Sequence, residues 1–330
     1  MNRLQLTFAT APYDRTLPLF DGRVRPEGID LNVLLLRYED TFWRMLRHTE
    51  FDASEMSLSS YIMSKELGPD LIAIPIFLSR VFRHSSIYVN TRAGIDKPSD
   101  LRGKNVGVPE YQMTAALWIR GILQDEYGVR PQEVHWFNGG LDEPGRVEKL
   151  KLNLPPEIRL TSIDPDKTLN NMLVAGELDA IITARPPSSF LMQDPAVRRL
   201  FQDYKSEEIA YWRKTRIFPP MHCVAIRRDV YERNRWIAQS LYKAFVEAKK
   251  YCSVDLMFDG HLRYALPFLH AAVDEHREVF GDTDPWAYGV TANRHIIETA
   301  TRYSHEQGLT SRRYAIEELF APETLDESRN

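Results

Sequence analysis

Apolar and polar residues alternate over Leu4–Ala9, the period of a strand with one face in a core. A second run of this kind, Ile29–Leu36, follows the turn Pro26-Glu27-Gly28. Asp40–His48 changes to helical spacing, with Phe42, Met45 and Leu46 on one face. Ala53–Ser57 reads as a short strand and Leu58–Leu67 as a helix. Leu71–Phe77 is apolar without a break, as expected of a strand covered on both faces, and Ser86–Val89 is a further strand before the turn Asp96-Lys97-Pro98. The same grammar then repeats. Val106–Val108 is a strand, Thr114–Glu126 a helix closed by Gly128, and Val134–Phe137 a strand. Thr168–Ala175 is a helix closed by Gly176, and Ala180–Thr183 is a strand running into Ala184-Arg185-Pro186-Pro187. After Phe218-Pro219-Pro220 come the strand Met221–Ile226 and the long helix Ile237–Cys252. The remainder is largely helical to about Leu319, and the acidic tail Ala321–Asn330 is expected to fray.

Strands alternating with helices predict an α/β fold with mainly parallel sheets. The 330 residues exceed the length at which a single core usually keeps growing. Crossings near residues 90 and 220 would divide the chain into two lobes, one from 1–90 plus 220–330 with a helical C-terminal part, the other from 91–219. Ligands in such bodies sit in the cleft at the carboxyl ends of strands. The net charge of −4, without a long like-charge run, points away from nucleic acid and from anionic membranes as partners. No stretch approaches the ~20 apolar residues of a membrane span. Cys223 and Cys252 stand in no CxxC or His-rich setting, which argues against a disulfide framework or a zinc site. Met1-Asn2-Arg3 leads straight into the first strand, with no apolar leader region, so a cytoplasmic location is expected unless a leader has been removed. The helical C-terminal third leaves a homo-oligomer open.

The segment Asp100–Thr114 joins a buried strand to a loop that opens a helix. The N–H groups of such a helix start, backed by the helix dipole, suit an anion. Its first part, Lys97–Val108 (KPSDLRGKNVGV), resembles the DLKGKxVGV segment of type II periplasmic binding proteins. Gly176-Glu177-Leu178-Asp179-Ala180 resembles the GEIDA element before a cleft strand of the same proteins. Phe51–Tyr61 (FDASEMSLSSY), Ser79–Ser85 (SRVFRHS) and Phe218–His222 (FPPMH) are similar to the 4,5-dihydroxyphthalate decarboxylases, and that likeness extends from about Leu4 to Tyr314. The resemblance implies a two-lobed, type II periplasmic-binding-protein-like fold with the ligand cleft between the lobes. It also implies a small aromatic dicarboxylate as substrate, converted to protocatechuate and carbon dioxide in phthalate degradation. The alternative on the same fold is a solute-binding protein of an ABC transporter for an aromatic or small carboxylate. The missing leader and lipobox cysteine favour the enzyme. The pyrimidine synthases of thiamin formation carry a CCCFC motif, which this chain lacks.

Decarboxylating a hydroxylated ring requires a proton at the ipso carbon and polarisation of the para hydroxyl, with the ring as electron sink. No cofactor is then expected. Arg15, Arg80, Arg83 and Arg185 follow predicted strands and could clamp carboxylates, or could be solvated surface arginines. His84 and His222 are the acid–base candidates, because imidazole titrates near neutrality; each could equally be a structural histidine. Glu110 is a catalytic candidate as acceptor of a hydroxyl proton, and Glu55 stands near another strand end; either could be a capping acid. Ser57 and Thr114 offer hydroxyls, and Tyr13 and Tyr111 aromatic surface. His84 and His222 with Glu55 or Glu110 form the one conceivable metal set, but no HxH or HExxH spacing supports it, so no metal is expected.

Overall fold

The computed structural model describes residues 3–257, 262 and 264–326. Its strands are β1 (Leu4–Thr10), β2 (Ile29–Leu35), β3 (Ala53–Ser57), β4 (Leu71–Arg80), β5 (Ile87–Asn90), β6 (Asn105–Val108), β7 (His135–Asn138), β8 (Leu160–Ser162), β9 (Ala180–Ile182), β10 (Val197–Arg199) and β11 (Pro220–Arg227). They form a five-stranded sheet of order β2-β1-β3-β11-β4 and a six-stranded sheet of order β10-β5-β9-β6-β7-β8. β11 runs antiparallel to both its neighbours. β5 does the same between β9 and β10. The remaining pairs are parallel. Each reversed strand is the first that the chain lays down after crossing from one sheet to the other. The fold is therefore the two-lobed α/β body expected, with two adjustments: both sheets are mixed, two of the four pairs in the five-stranded one being antiparallel, and the first crossing comes earlier. β5 belongs to the six-stranded sheet, so the first crossing lies at 81–86, ahead of the boundary at residue 90. The apolar run at Ser86–Val89 announced a strand without saying which sheet it joins.

Local chemistry accounts for the element ends. Gly128 (φ 67°) and Gly176 (φ 82°) close the helices Thr114–Tyr127 and Leu169–Ala175 in the left-handed conformation. The Ser57 side chain accepts the backbone N–H of Ser60 and caps the helix Leu58–Leu67. β4 is buried along nearly its whole length and runs three residues past its apolar stretch, because Ser79 and Arg80 still pair with β11. The tail does not fray where it is described. Ala321 donates its N–H to Ala73 O at 2.9 Å, and Glu323 accepts the Tyr231 hydroxyl at 2.6 Å. Residues 327–330 lie outside the described residues.

One apolar core joins the lobes, running from Ala9 and Met56 of the first sheet to Val106, Val108 and Ile182 of the second. The helix Thr114–Tyr127 sits at this junction. Its Trp118 indole donates to Pro220 O at 2.9 Å. Its Gly121 lies so close to the helix Arg294–Glu306 that an added Cβ would fall 2.1 Å from the Tyr303 ring. Among the described residues, no helix is long and apolar enough to cross a membrane.

Candidate active site

The site grows from the middle of the first sheet. Glu55 on β3 is fully buried and accepts from Thr10 Oγ1 (2.9 Å), the Ala11 N–H (2.9 Å) and the Tyr13 hydroxyl (2.5 Å). Its fourth partner is His222 on β11, whose Nδ1 lies 2.6 Å from Glu55 Oε1. Burial alone would raise the Glu55 carboxyl, but the charge and hydrogen bond of His222, with the donors at Ala11 and Tyr13, outweigh it and hold the group below its ordinary range. Tyr13 is pushed upward by its own burial and by the adjacent carboxylate, so it stays a phenol and a donor. A carboxylate can only accept, so His222 Nδ1 carries the proton of this bond and Nε2 is left for other work. β11 slips register against β4 on both sides of His222 while pairing regularly with β3, where His222 faces Ser57. Bulges of this kind re-aim a side chain. The ring rests against Phe42 and Tyr38, with centroids 4.9 and 5.4 Å away.

His222 opens onto a cleft between the lobes. Ser57 and Thr114 form its polar floor, their hydroxyls 2.8 Å apart, and Thr114 Oγ1 also accepts the Ser59 N–H at 3.0 Å. Met113, Thr114 and Ala115 bring the N-terminus of the 14-residue helix to the same wall. Three cations line the cleft. Arg83 is buried, donating to Met221 Sδ (3.2 Å) and Ala184 O (3.4 Å), and no carboxylate pairs with it among the described residues. Burial pushes its guanidinium down to about 10, which leaves it charged at neutral pH. Arg146 gives Nε and Nη2 to Glu110, at 2.7 and 2.6 Å, and Nη1 to Glu39 at 3.1 Å. Burial would lower its pKa, but Glu110 and Glu39 together raise it. Lys149 Nζ reaches both Glu110 oxygens at 2.5 Å.

Of the residues singled out in the sequence, Ser57, Arg83, Thr114 and His222 line this cleft, with Glu55 and Tyr13 directly behind His222. The others have different surroundings. His84 packs against Tyr127, Phe201 and Tyr211, its Nδ1 has no hydrogen-bond partner, and desolvation pushes its pKa down to about 4. The His222 ring instead meets Glu55, Phe42 and Tyr38, so the imagined two-histidine metal set does not assemble. Among the described residues, no three His, Cys, Asp or Glu side chains group to hold a metal. Glu110 is committed to Arg146 and Lys149 rather than free to take a hydroxyl proton. Arg80 is buried and donates to Phe218 O, Ala287 O and Asn293 Oδ1. Arg15 donates to Leu78 O and stacks between Tyr13 and Trp286. Tyr111 is buried under Arg120, whose guanidinium lies 3.7 Å from the ring centroid. Arg185 stays largely exposed at the cleft mouth, 3.6 Å from Glu39. Sequence reasoning passed over Tyr38, Glu39, Phe42, Arg146, Lys149 and Met221. The dense run of charges from Glu143 to Lys149 was a visible signal, but it stands at no predicted strand end.

No family model matches the chain. Among solved structures, the periplasmic aliphatic sulphonate-binding protein SsuA of Escherichia coli superposes with a TM-score of 0.53 at 13% identity, covering 98% of this chain and 99% of its own. The alkanesulfonate-binding SsuA of Xanthomonas axonopodis pv. citri gives 0.52 at 11% identity, over 97% and 99%. These likenesses establish the binding-protein fold. A 4,5-dihydroxyphthalate decarboxylase of Pseudomonas putida is 43% identical over 204 residues, 62% of this chain and 79% of its own. One of Comamonas testosteroni is 38% identical over 327 residues, 99% of each chain. Matched from end to end at that identity, the chain belongs to the 4,5-dihydroxyphthalate decarboxylase family.

Proposed function

We propose that the protein removes one carboxylate of 4,5-dihydroxyphthalate as carbon dioxide and leaves protocatechuate, the reaction named for its relatives. The observation that carries this reading is the His222–Glu55 pair opening on a cleft lined by three cations. A substrate with two adjacent carboxylates suits that lining. Arg83 has donors free of any carboxylate, and Arg146 with Lys149 forms a second cationic group, paired with Glu110 and Glu39. Phe42 and Tyr38 give the ring an apolar wall beside His222.

Each carboxyl-bearing ring carbon of this substrate is para to a hydroxyl. His222 delivers a proton from Nε2 to the ipso carbon. The para oxygen shares the positive charge that develops on the ring. The carbon–carboxylate bond then breaks, its electron pair restores the aromatic system, carbon dioxide departs, and solvent returns a proton to His222. The dianion and one proton thus become a monoanion and carbon dioxide. Glu55 does not touch the substrate in this scheme; it orients His222 and stabilises its charged form.

Incubating the purified protein with 4,5-dihydroxyphthalate, with and without chelator, tests the proposal. Equal amounts of carbon dioxide and protocatechuate are expected in both cases. Binding without turnover would overturn it in favour of a solute receptor. We also propose a cytoplasmic place of work, which two free cysteines suit; recovery of the native protein in a periplasmic fraction would contradict this.

A further inference from the structure

The cleft holds an anion of its own. Glu39, on the helix Tyr38–His48 of the first lobe, reaches across to two arginines of the second, Arg146 at 3.1 Å and Arg185 at 3.6 Å. Arg146 has little else to offer. Its Nε and Nη2 edge is taken by the buried Glu110, which leaves the Nη1 side, and Glu39 occupies it. A substrate carboxylate that comes to Arg146 therefore meets a carboxylate already in place. It either displaces Glu39 or sits against a like charge, which is unfavourable at this range. The displaced side chain has somewhere to go. Arg185 is already within ion-pair distance, is largely exposed, and has no other carboxylate partner among the described residues.

We propose that Glu39 is an internal competitor for the retained carboxylate, moving from Arg146 to Arg185 when a ligand binds and back again to expel the product. This rests on the decarboxylase reading and adds a specificity element to it. In that reaction, one carboxylate leaves and the other persists in the product. A site with only fixed cations would hold a product monoanion as firmly as it held that half of the substrate. Glu39 returns the cation to an occupied state and weakens both complexes by the same interaction. Arg185 then acts through Glu39 rather than on the substrate, and both are positioning residues.

The inhibition constant of protocatechuate, measured in the decarboxylation assay, tests this through sign and coupling. Glu39→Gln is expected to tighten inhibition about fivefold, the scale of one partly screened ion pair. Arg185→Ala is expected to weaken it roughly threefold, because displaced Glu39 loses its receiver. In the Glu39→Gln background, Arg185→Ala should have no effect. Weaker or unchanged inhibition in Glu39→Gln would make Glu39 a latch or a bystander and overturn the proposal. An undiminished effect of Arg185→Ala in that background would place Arg185 on the ligand itself and overturn it equally. If the wild-type chain releases no carbon dioxide, the decarboxylase reading falls and takes this one with it; turnover with unchanged constants removes the competitor alone.

Discussion

His222 and His84 stand in similar sequence surroundings, each beside a predicted strand end with arginine or proline nearby, and the structure gives them opposite environments. His222 bonds a fully buried carboxylate that is itself fixed by three further donors, and its other edge meets a cleft. His84 is buried among three tyrosine and phenylalanine rings with Nδ1 unpartnered. Burial without an anion suppresses the charged form of an imidazole, whereas a carboxylate at hydrogen-bond distance supports it. Residue type alone does not make a proton donor; the group on the far side of the ring does.

The contrast can be broken most directly at His222. Replacing it by Asn should lower turnover by about 10²–10⁴, the usual share of a positioned acid, with little change in the inhibition constant of protocatechuate. Undiminished turnover would remove the ring from the mechanism. Glu55→Gln comes next, with a loss of roughly 10² that falls on kcat rather than on product affinity, since the carboxylate works through His222. An equal change in both would reduce Glu55 to a packing residue. The smallest catalytic effect belongs to His84→Phe, expected to keep turnover within about twofold, because the ring touches no part of the cleft. Its consequence lies in acid stability. His84 ionises near 4 when folded, against an ordinary value of 6.5. The unfolded chain therefore binds the proton first as pH falls, and stability is lost between about 6.5 and about 4, by at most ~3 kcal/mol. Above 6.5 this contribution is fully present. His84→Phe should show a shallower loss across that window in denaturant titrations, and an identical slope would refute the assignment.

Much of the fold was legible because its signals are local. The helix over Leu58–Leu67 and the glycine-closed helix after Val108 follow from spacing and caps. β8 and β10 passed unnoticed, being three residues each and only partly buried, too short for a period to show. The site was less legible. Ser57, Thr114 and His222 lie where strand ends meet the cleft, as the alternating pattern suggests. Arg15 and Arg80 look the same in sequence, yet other groups claim them, through hydrogen bonds to residues 63 to 213 positions away. Arg146 and Lys149 lie in an irregular loop, where no periodicity tells inside from outside. The pairing of His222 with Glu55 spans 167 positions and depends on β11 coming to lie beside β3.

That placement of β11 bears on how the molecule is made. All six strands of one sheet come from a continuous stretch, 87–199, whereas the other sheet waits for its penultimate strand until more than a hundred residues after its neighbours. During synthesis, β3 and β4 would emerge with a vacant lane between them and two unsatisfied edges, a template for stray pairing. The six-stranded half can close by itself first, while the five-stranded half is completed by the same strand that delivers His222. Catalytic competence and the last gap in the sheet are thus filled in one event, so a chain halted before β11 would be both inactive and adhesive.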